Sequence, residues 1–193
     1  MRILTVLNGL GIGGTEKAAC RWASGLSERG HTVACASLQD GTRRIALEKV
    51  GIPVHVTGLD PVRLREIILG LKPDVIQSHA PGTAHPGDIL GEALKGLRKI
   101  PVVQTNVFGR LENKAEDAWT DFRLFISWTS CVQAARRARR ALDEDFFRKA
   151  SVAVYPVDPV QPASKEKVAE FRRRHGINEG DILFGRISRP DPV

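Results

Sequence analysis

The fold class this sequence predicts is a doubly wound parallel α/β domain, Rossmann-like in layout. Three observations predict it. Short, nearly continuous apolar runs such as Ile3–Leu7 read as strands buried on both faces of a parallel sheet. Segments with apolar residues at helical spacing alternate with those runs as far as Tyr155. A glycine-rich loop, Asn8 to Lys17, falls where the first strand hands over to the first helix.

Taken in order, Ile3–Leu7 is the first strand. The helix after it carries the stripe Ala18, Ala19, Trp22, Ala23 and Leu26, and Gly30 stops it where a left-handed residue is wanted. Thr32–Ser37 is the second strand, a short helix lies around Arg44–Val50, and Val54–Thr57 is the third strand. From Pro61 a helix turns Leu64, Ile67, Ile68 and Leu71 inward and ends before Lys72-Pro73. Asp74–Ser78 is strand four. A helix near Gly87–Leu97 buries Ile89, Leu90, Ala93, Leu94 and Leu97. Pro101–Thr105 and Arg123–Ser127 are strands five and six. A basic helix, Ser130–Leu142, and a strand, Val152–Tyr155, complete a domain expected over residues 1–155 with right-handed crossovers.

Composition then changes. Pro156, Pro159 and Pro162 punctuate a segment without periodicity, so 156–181 reads as a linker with one charged helix, Lys165–His175, stopped by Gly176. Ile182–Ile187 is expected to form a strand. A lone strand cannot bury its own faces, so 182–193 is expected to open a second domain.

The 193 residues are 42% hydrophobic and 26% charged, as in soluble globular proteins. No run approaches the roughly 20 apolar residues of a membrane span. The apolar start is too short for a signal peptide and leads into glycines without a cleavage site. Cys20, Cys35 and Cys131 match neither metal-ligand spacing nor a disulfide framework, which points to a reducing, cytoplasmic setting. A net charge of +7 favours anionic partners or is simply a basic surface. With one tyrosine and no aromatic–basic interleaving, nucleic acid is not expected as a partner.

The loop Asn8–Lys17 is the first chemistry-bearing feature. Gly9, Gly11 and Gly14 formally satisfy the dinucleotide fingerprint, and glycines let a phosphate or sugar approach the backbone. A dinucleotide site also wants an acidic residue ending strand two, where Ser37-Leu38-Gln39 stands, with Asp40 beyond. His79 closes strand four, where side chains face the cleft of an open sheet, and His85 lies in the loop behind it. No histidine pair has metal spacing, so no protein-bound metal is expected. Arg136, Arg137, Arg139 and Arg140 form a basic cluster, either a solvated face or a contact for an anionic membrane or acceptor.

Gly11–Lys17, an alanine-rich helix and then Gly25–Val33 together resemble the opening of the group 1, family four glycosyltransferases. Lys72–His79 is similar to that family's fourth strand, and Ile100–Thr105 to its fifth. Phe171–Ile177 followed by Ile182–Arg186 resembles its interdomain passage. The resemblance runs in order over essentially the whole chain.

It implies the N-terminal half of a GT-B architecture: an acceptor-binding domain facing a second domain that holds a nucleotide-sugar donor. The implied reaction is glycosyl transfer to a sugar or lipid-linked acceptor, with retention of configuration and with no metal or other cofactor. Cell-envelope polysaccharide synthesis and peripheral membrane association go with that implication. By resemblance, Gly13, Gly14 and Thr15 line the donor's diphosphate, and Arg186 is the phosphate-binding arginine. His79 and Asn106 are the catalytic-site candidates. Where many relatives have a histidine just after strand five, this chain has Val107, and Asn106 is the neighbouring hydrogen-bonding group. A dinucleotide-dependent oxidoreductase, a non-catalytic carbohydrate- or nucleotide-binding relative, and a nucleotide-sugar epimerase are the competing readings.

Overall fold

The computed structural model describes residues 1–80, 85–97, 100–109, 111, 118–157 and 161–185. The chain divides into two compact units, Met1–Pro156 and Val157–Val193. In the first, seven parallel strands form one sheet in the order β3-β2-β1-β4-β5-β6-β7. They are β1 (Arg2–Gly9), β2 (Thr32–Gln39), β3 (Val54–Val56), β4 (Val75–Ala80), β5 (Val102–Asn106), β6 (Phe122–Phe125) and β7 (Ala150–Val152). The helices are α1 (Gly14–Glu28), α2 (Arg43–Lys49), α3 (Pro61–Leu71), α4 (His85–Leu94), α5 (Trp128–Arg137) and α6 (Glu144–Phe147). The doubly wound, Rossmann-like class is what forms.

Alternation along the strands builds a core on each face. Leu4, Val6, Ala34, Ala36, Ile76 and Val102 face Leu64 and Ile68 of α3 and Leu90 and Ala93 of α4. Ile3, Leu7, Val33 and Cys35 face Ala19 and Ala23 of α1 and Leu47 of α2. A third cluster joins Phe125 to Cys131 and Ala134 of α5.

Local chemistry sets the helix ends. Asp60 caps α3, its Oδ1 accepting from the amides of Val62 at 2.9 Å and Arg63 at 3.2 Å, with Pro61 preset for the first turn. Lys72 then leaves the helix in the left-handed region at φ 49°. Gly96 does the same just after α4, at φ 67°, so that helix stops at Leu94 and not at Leu97.

Three expectations need correction. The basic helix does not run to Leu142. A Ser127–Ser130 capping box starts it at Trp128, and it ends at Arg137, with Arg139 turned to φ 53°. The chain then starts α6 under an Asp143 cap, which lets Phe146 stack on Phe125 at 6.2 Å. Arg136 and Arg137 therefore sit in the last helical turn, while Arg139 and Arg140 lie beyond it, and the four arginines do not share one helix. The last strand is Ala150–Val152, because Val152 stands opposite Phe125 at the end of β6. Beyond Ala153, whose amide still donates to Phe125 at 2.8 Å, β6 offers no further partner.

The second unit contains α7 (Lys165–Arg174), capped by Ser164 and without a buried residue. Residues 182–185 of the expected strand are not in a strand, and Ile182 and Phe184 are 82% and 90% exposed. Among the described residues they have no neighbouring strand to bond. Residues 186 and 187 lie outside the described residues.

Candidate functional site

In an open parallel sheet, ligands bind beyond the carboxyl ends of the strands where strand order reverses. Here that reversal falls between β1 and β4. The register sets His79 opposite Leu7 on β1 and opposite Thr105 on β5, with Asn106 opposite Ala80. The glycine loop, His79 and Asn106 thus reach the same edge of the sheet.

β1 continues through Gly9, which pairs with Gln39, so the first glycine of the formal fingerprint is a strand residue. Gly13 is the N-cap of α1 and no side chain caps that helix. The first-turn amides and the positive end of the helix dipole therefore lie at the edge, a setting that favours an anion. Thr15 is half-buried in this turn and Gly14 is exposed. Nothing approaches within 4 Å of where a Cβ on Gly14 would stand, whereas one on Gly13 would run into the Glu16 carboxylate.

The loop is braced from the turn between β2 and α2. The Arg43 amide donates to the Leu10 carbonyl at 3.0 Å, and Arg43 Nε donates to the Gly11 carbonyl at 2.8 Å. Gly41 lies so close to the Leu10–Gly11 peptide that a Cβ there would collide with its backbone. Asp40 is committed to the same turn: Oδ1 accepts from the Gly41 amide at 2.8 Å and Oδ2 pairs with Arg44 at 3.1 Å. That leaves the dinucleotide reading without a ribose ligand at the end of β2. Sequence reasoning missed Glu16, Gly41 and Arg43. The Asp40-Gly41 pair marks a turn, but its contact with Leu10 is not local.

His79 is 1% exposed, and among the described residues neither ring nitrogen has a hydrogen-bond partner. Burial pulls its pKa down from 6.5 to about 4, so the imidazole is neutral near pH 7, offering one donor and one acceptor. Asn106 is also buried, at 5% exposure. Adjacent register positions alternate faces, so His79 points to the α1 side while Asn106 shares the Phe125 side. The two candidates meet at the edge without forming a side-chain pair. Arg186 and the His85 side chain lie outside what is described.

On α5, Trp128, Val132 and Arg136 follow one another at four-residue steps, opposite the buried Cys131, Ala134 and Ala135. Trp128 is 64% exposed and meets Phe147 edge-on at 6.0 Å. Among the described residues no helix is long and apolar enough to cross a membrane.

Residues 13–175 match the glycosyl transferase 4-like domain family. The chain belongs to that family. No curated protein sequence matches it. Among solved structures, Anabaena HepE in complex with UDP-glucose is similar at 15% identity and TM-score 0.67, over 91% of this chain and 50% of that one. The lipopolysaccharide outer core galactosyltransferase WaaB is similar at 14% identity and TM-score 0.57, over 81% and 46%. The UDP-GlcNAc 2-epimerase from Neisseria meningitidis, bound to UDP-GlcNAc, is similar at 16% identity and TM-score 0.52, over 79% and 46%. The chain of this glycosyl transferase 4-like protein spans about half the length of these structures. At such identities the likeness establishes the fold, that of one half of a GT-B protein.

Proposed function

We propose that this chain is the acceptor-side half of a glycosyltransferase. It moves a sugar from a nucleotide-sugar donor to a sugar or lipid-linked acceptor with retention of configuration. The observation that carries the reading is the placement, at the carboxyl edge where strand order reverses, of the α1 N-terminus without a side-chain cap and of the neutral His79, unpartnered among the described residues. Family membership and the UDP-glucose bound to the similar HepE support it.

The chemical difficulty is departure of a nucleotide diphosphate, whose growing negative charge must be stabilised. Amides of Gly14 and Thr15 at the positive end of α1 suit that charge, and Arg186, on the strength of resemblance, adds a cation. Neutral His79 suits a sugar hydroxyl, to which it can donate or from which it can accept. Asn106 serves the acceptor side of the edge. No step in this scheme calls for a metal.

Gly14→Val tests the loop. The position is open and its backbone lies outside the left-handed region, so the change leaves the fold unstrained. In the protein carrying both halves, turnover is expected to fall by about 100-fold or more, because small misplacements at a reacting centre are costly. The thermal midpoint should barely move. A folded, fully active variant would make the loop a plain turn. Similarity to a UDP-GlcNAc 2-epimerase supports one second reading, in which the same edge epimerises its nucleotide sugar. Product analysis separates the two: sugar on an acceptor, or an isomer still on the nucleotide.

A lipid-linked acceptor brings the protein to the anionic cytoplasmic face of a membrane. The exposed stripe Trp128, Val132 and Arg136, with Phe147 beside it, suits that surface by pairing an aromatic anchor with a cation. Co-sedimentation with anionic vesicles should be salt-sensitive and weaken in Trp128→Ala. No binding even at low salt leaves the stripe as solvated surface.

A further inference from the structure

Around His79, the α1 side of the central strands carries side chains that phosphate and sugar binding do not account for. Thr5 on β1 stands opposite Gln77 on β4, and two residues on, His79 stands opposite Thr105 on β5. Residues two apart on a strand share a face, so these four make one continuous patch across three strands. All are buried: Thr5 0%, Gln77 6%, His79 1% and Thr105 1% exposed. Among the described residues, Thr5 Oγ1, Gln77 Oε1, both His79 nitrogens and Thr105 Oγ1 have no hydrogen-bond partner.

Such a patch is costly as dry core. An orphaned buried polar group gives up its hydration without compensation, and folded proteins leave few of them. Neighbouring strands lie about 4.8 Å apart, and residues two apart on a strand about 6.6 Å. Spacings on that scale can hold a single water with two to four polar partners. The patch supplies those partners to His79 from β5, through Thr105, and from the preceding position on its own strand, through Gln77, while Leu7 on β1 closes the other side.

We infer that Thr105 and Gln77 are positioning residues for His79, holding its ring through buried water and so deciding which nitrogen carries the proton at the sheet edge. A neutral imidazole has two tautomers, and the bond made by one nitrogen determines what the other presents. This rests on the reading above, in which His79 meets a sugar hydroxyl. Thr105 acts on the ring from the neighbouring strand and Gln77 from the preceding position on the same face. Neither needs to touch substrate.

The test uses ¹⁵N-histidine-labelled protein, with kinetics on the protein carrying both halves. In the parent, the His79 nitrogen shifts should report one dominant tautomer. Thr105→Val should mix the tautomers and lower kcat about tenfold with KM within about twofold, and Thr105→Ser should restore both. Gln77→Leu is the parallel variant, and supplies the same readout should Thr105→Val fail to fold. Unchanged His79 shifts in a folded Thr105→Val or Gln77→Leu protein overturn the inference, as does a Thr105→Ser protein that behaves like Thr105→Val. If the tautomer moves while kcat stays constant even in His79→Ala, the positioning stands, and the reading that His79 meets the sugar fails instead.

Discussion

β1, β4 and β5 send alternate residues to two faces, and the two faces are made of different chemistry. Toward α3 and α4 go Leu4, Val6, Ile76 and Val102, closed over by Leu64, Ile68 and Leu90. Toward α1 the same three strands send Thr5, Gln77, His79 and Thr105, with polar atoms left unpartnered. A parallel sheet covered on both sides ordinarily carries apolar residues on both. The α1 face obeys that rule on β2, where Val33 and Cys35 meet Ala19 and Ala23. It departs from the rule at Thr5 between Ile3 and Leu7 on β1, and at Gln77, His79 and Thr105 on β4 and β5, which is where strand order reverses and where a ligand crevice belongs. The α3 and α4 face carries the larger aliphatic cluster, while the α1 face gives up some stability at Thr5, Gln77, His79 and Thr105 for polar groups that can be used.

The comparison breaks most visibly in the apolar face. Ile76 is 0% exposed among large side chains from two helices and two strands, and truncating it leaves a cavity that a close-packed core closes only partly. Ile76→Ala should cost about 2–5 kcal/mol of unfolding free energy by denaturant titration. A loss below about 1 kcal/mol would mean that this face does not carry the stability assigned to it.

Much of this division was legible in the sequence. The apolar runs located all seven strands to within a few residues, because a buried parallel strand cannot be disguised. His79 stood out as a polar end to an apolar run. Other features depend on contacts that no local pattern contains. Arg139 adopts a left-handed backbone that nothing in a run of arginines and alanines announces, and the helix break follows from Phe146 stacking on Phe125. The brace of Gly41 and Arg43 on the glycine loop joins residues about thirty positions apart. That His79 and Asn106 face opposite ways follows from the β4–β5 register, which pairing in the folded sheet decides. Arg186, read from resemblance, lies outside the described residues.

The polar face should also show itself in pH dependence. His79 has its pKa held at about 4 in the fold by burial, against 6.5 in an exposed chain. Between those values the unfolded chain takes up a proton that the folded one refuses. The His79 contribution is therefore intact above pH 6.5 and is lost progressively as pH falls toward 4. The slope approaches about 1.4 kcal/mol per pH unit below pH 6.5, so the step from pH 6.5 to 5 removes about 1.5 kcal/mol. Carboxylates add their own changes at the acid end, so the measurement is the difference between the parent and His79→Leu. Parallel stability curves for the two would mean that His79 is not a buried neutral base.

The smallest expected effect is the sharpest test, because it sets neighbours on one strand against each other. Thr5 and Val6 are adjacent on β1, buried to 0% and 2% exposure, and similar in size. Val6 packs in the apolar cluster with Leu4 and Ile76, while the hydroxyl of Thr5 has no partner among the described residues. Val6→Thr puts a hydroxyl beside the apolar cluster, with Ser78 opposite it on β4, and should cost about 1 kcal/mol or more. Thr5→Val removes a hydroxyl that bonds water at best, so its effect should stay within about 1 kcal/mol and can be stabilising. The sign of the difference matters more than either value, since both substitutions keep the branched shape and the β propensity of the site. If Thr5→Val proved as costly as Val6→Thr, the Thr5 hydroxyl would be firmly bonded. The α1 face would then be a satisfied polar core, with no reserve of unpartnered groups beneath the candidate site.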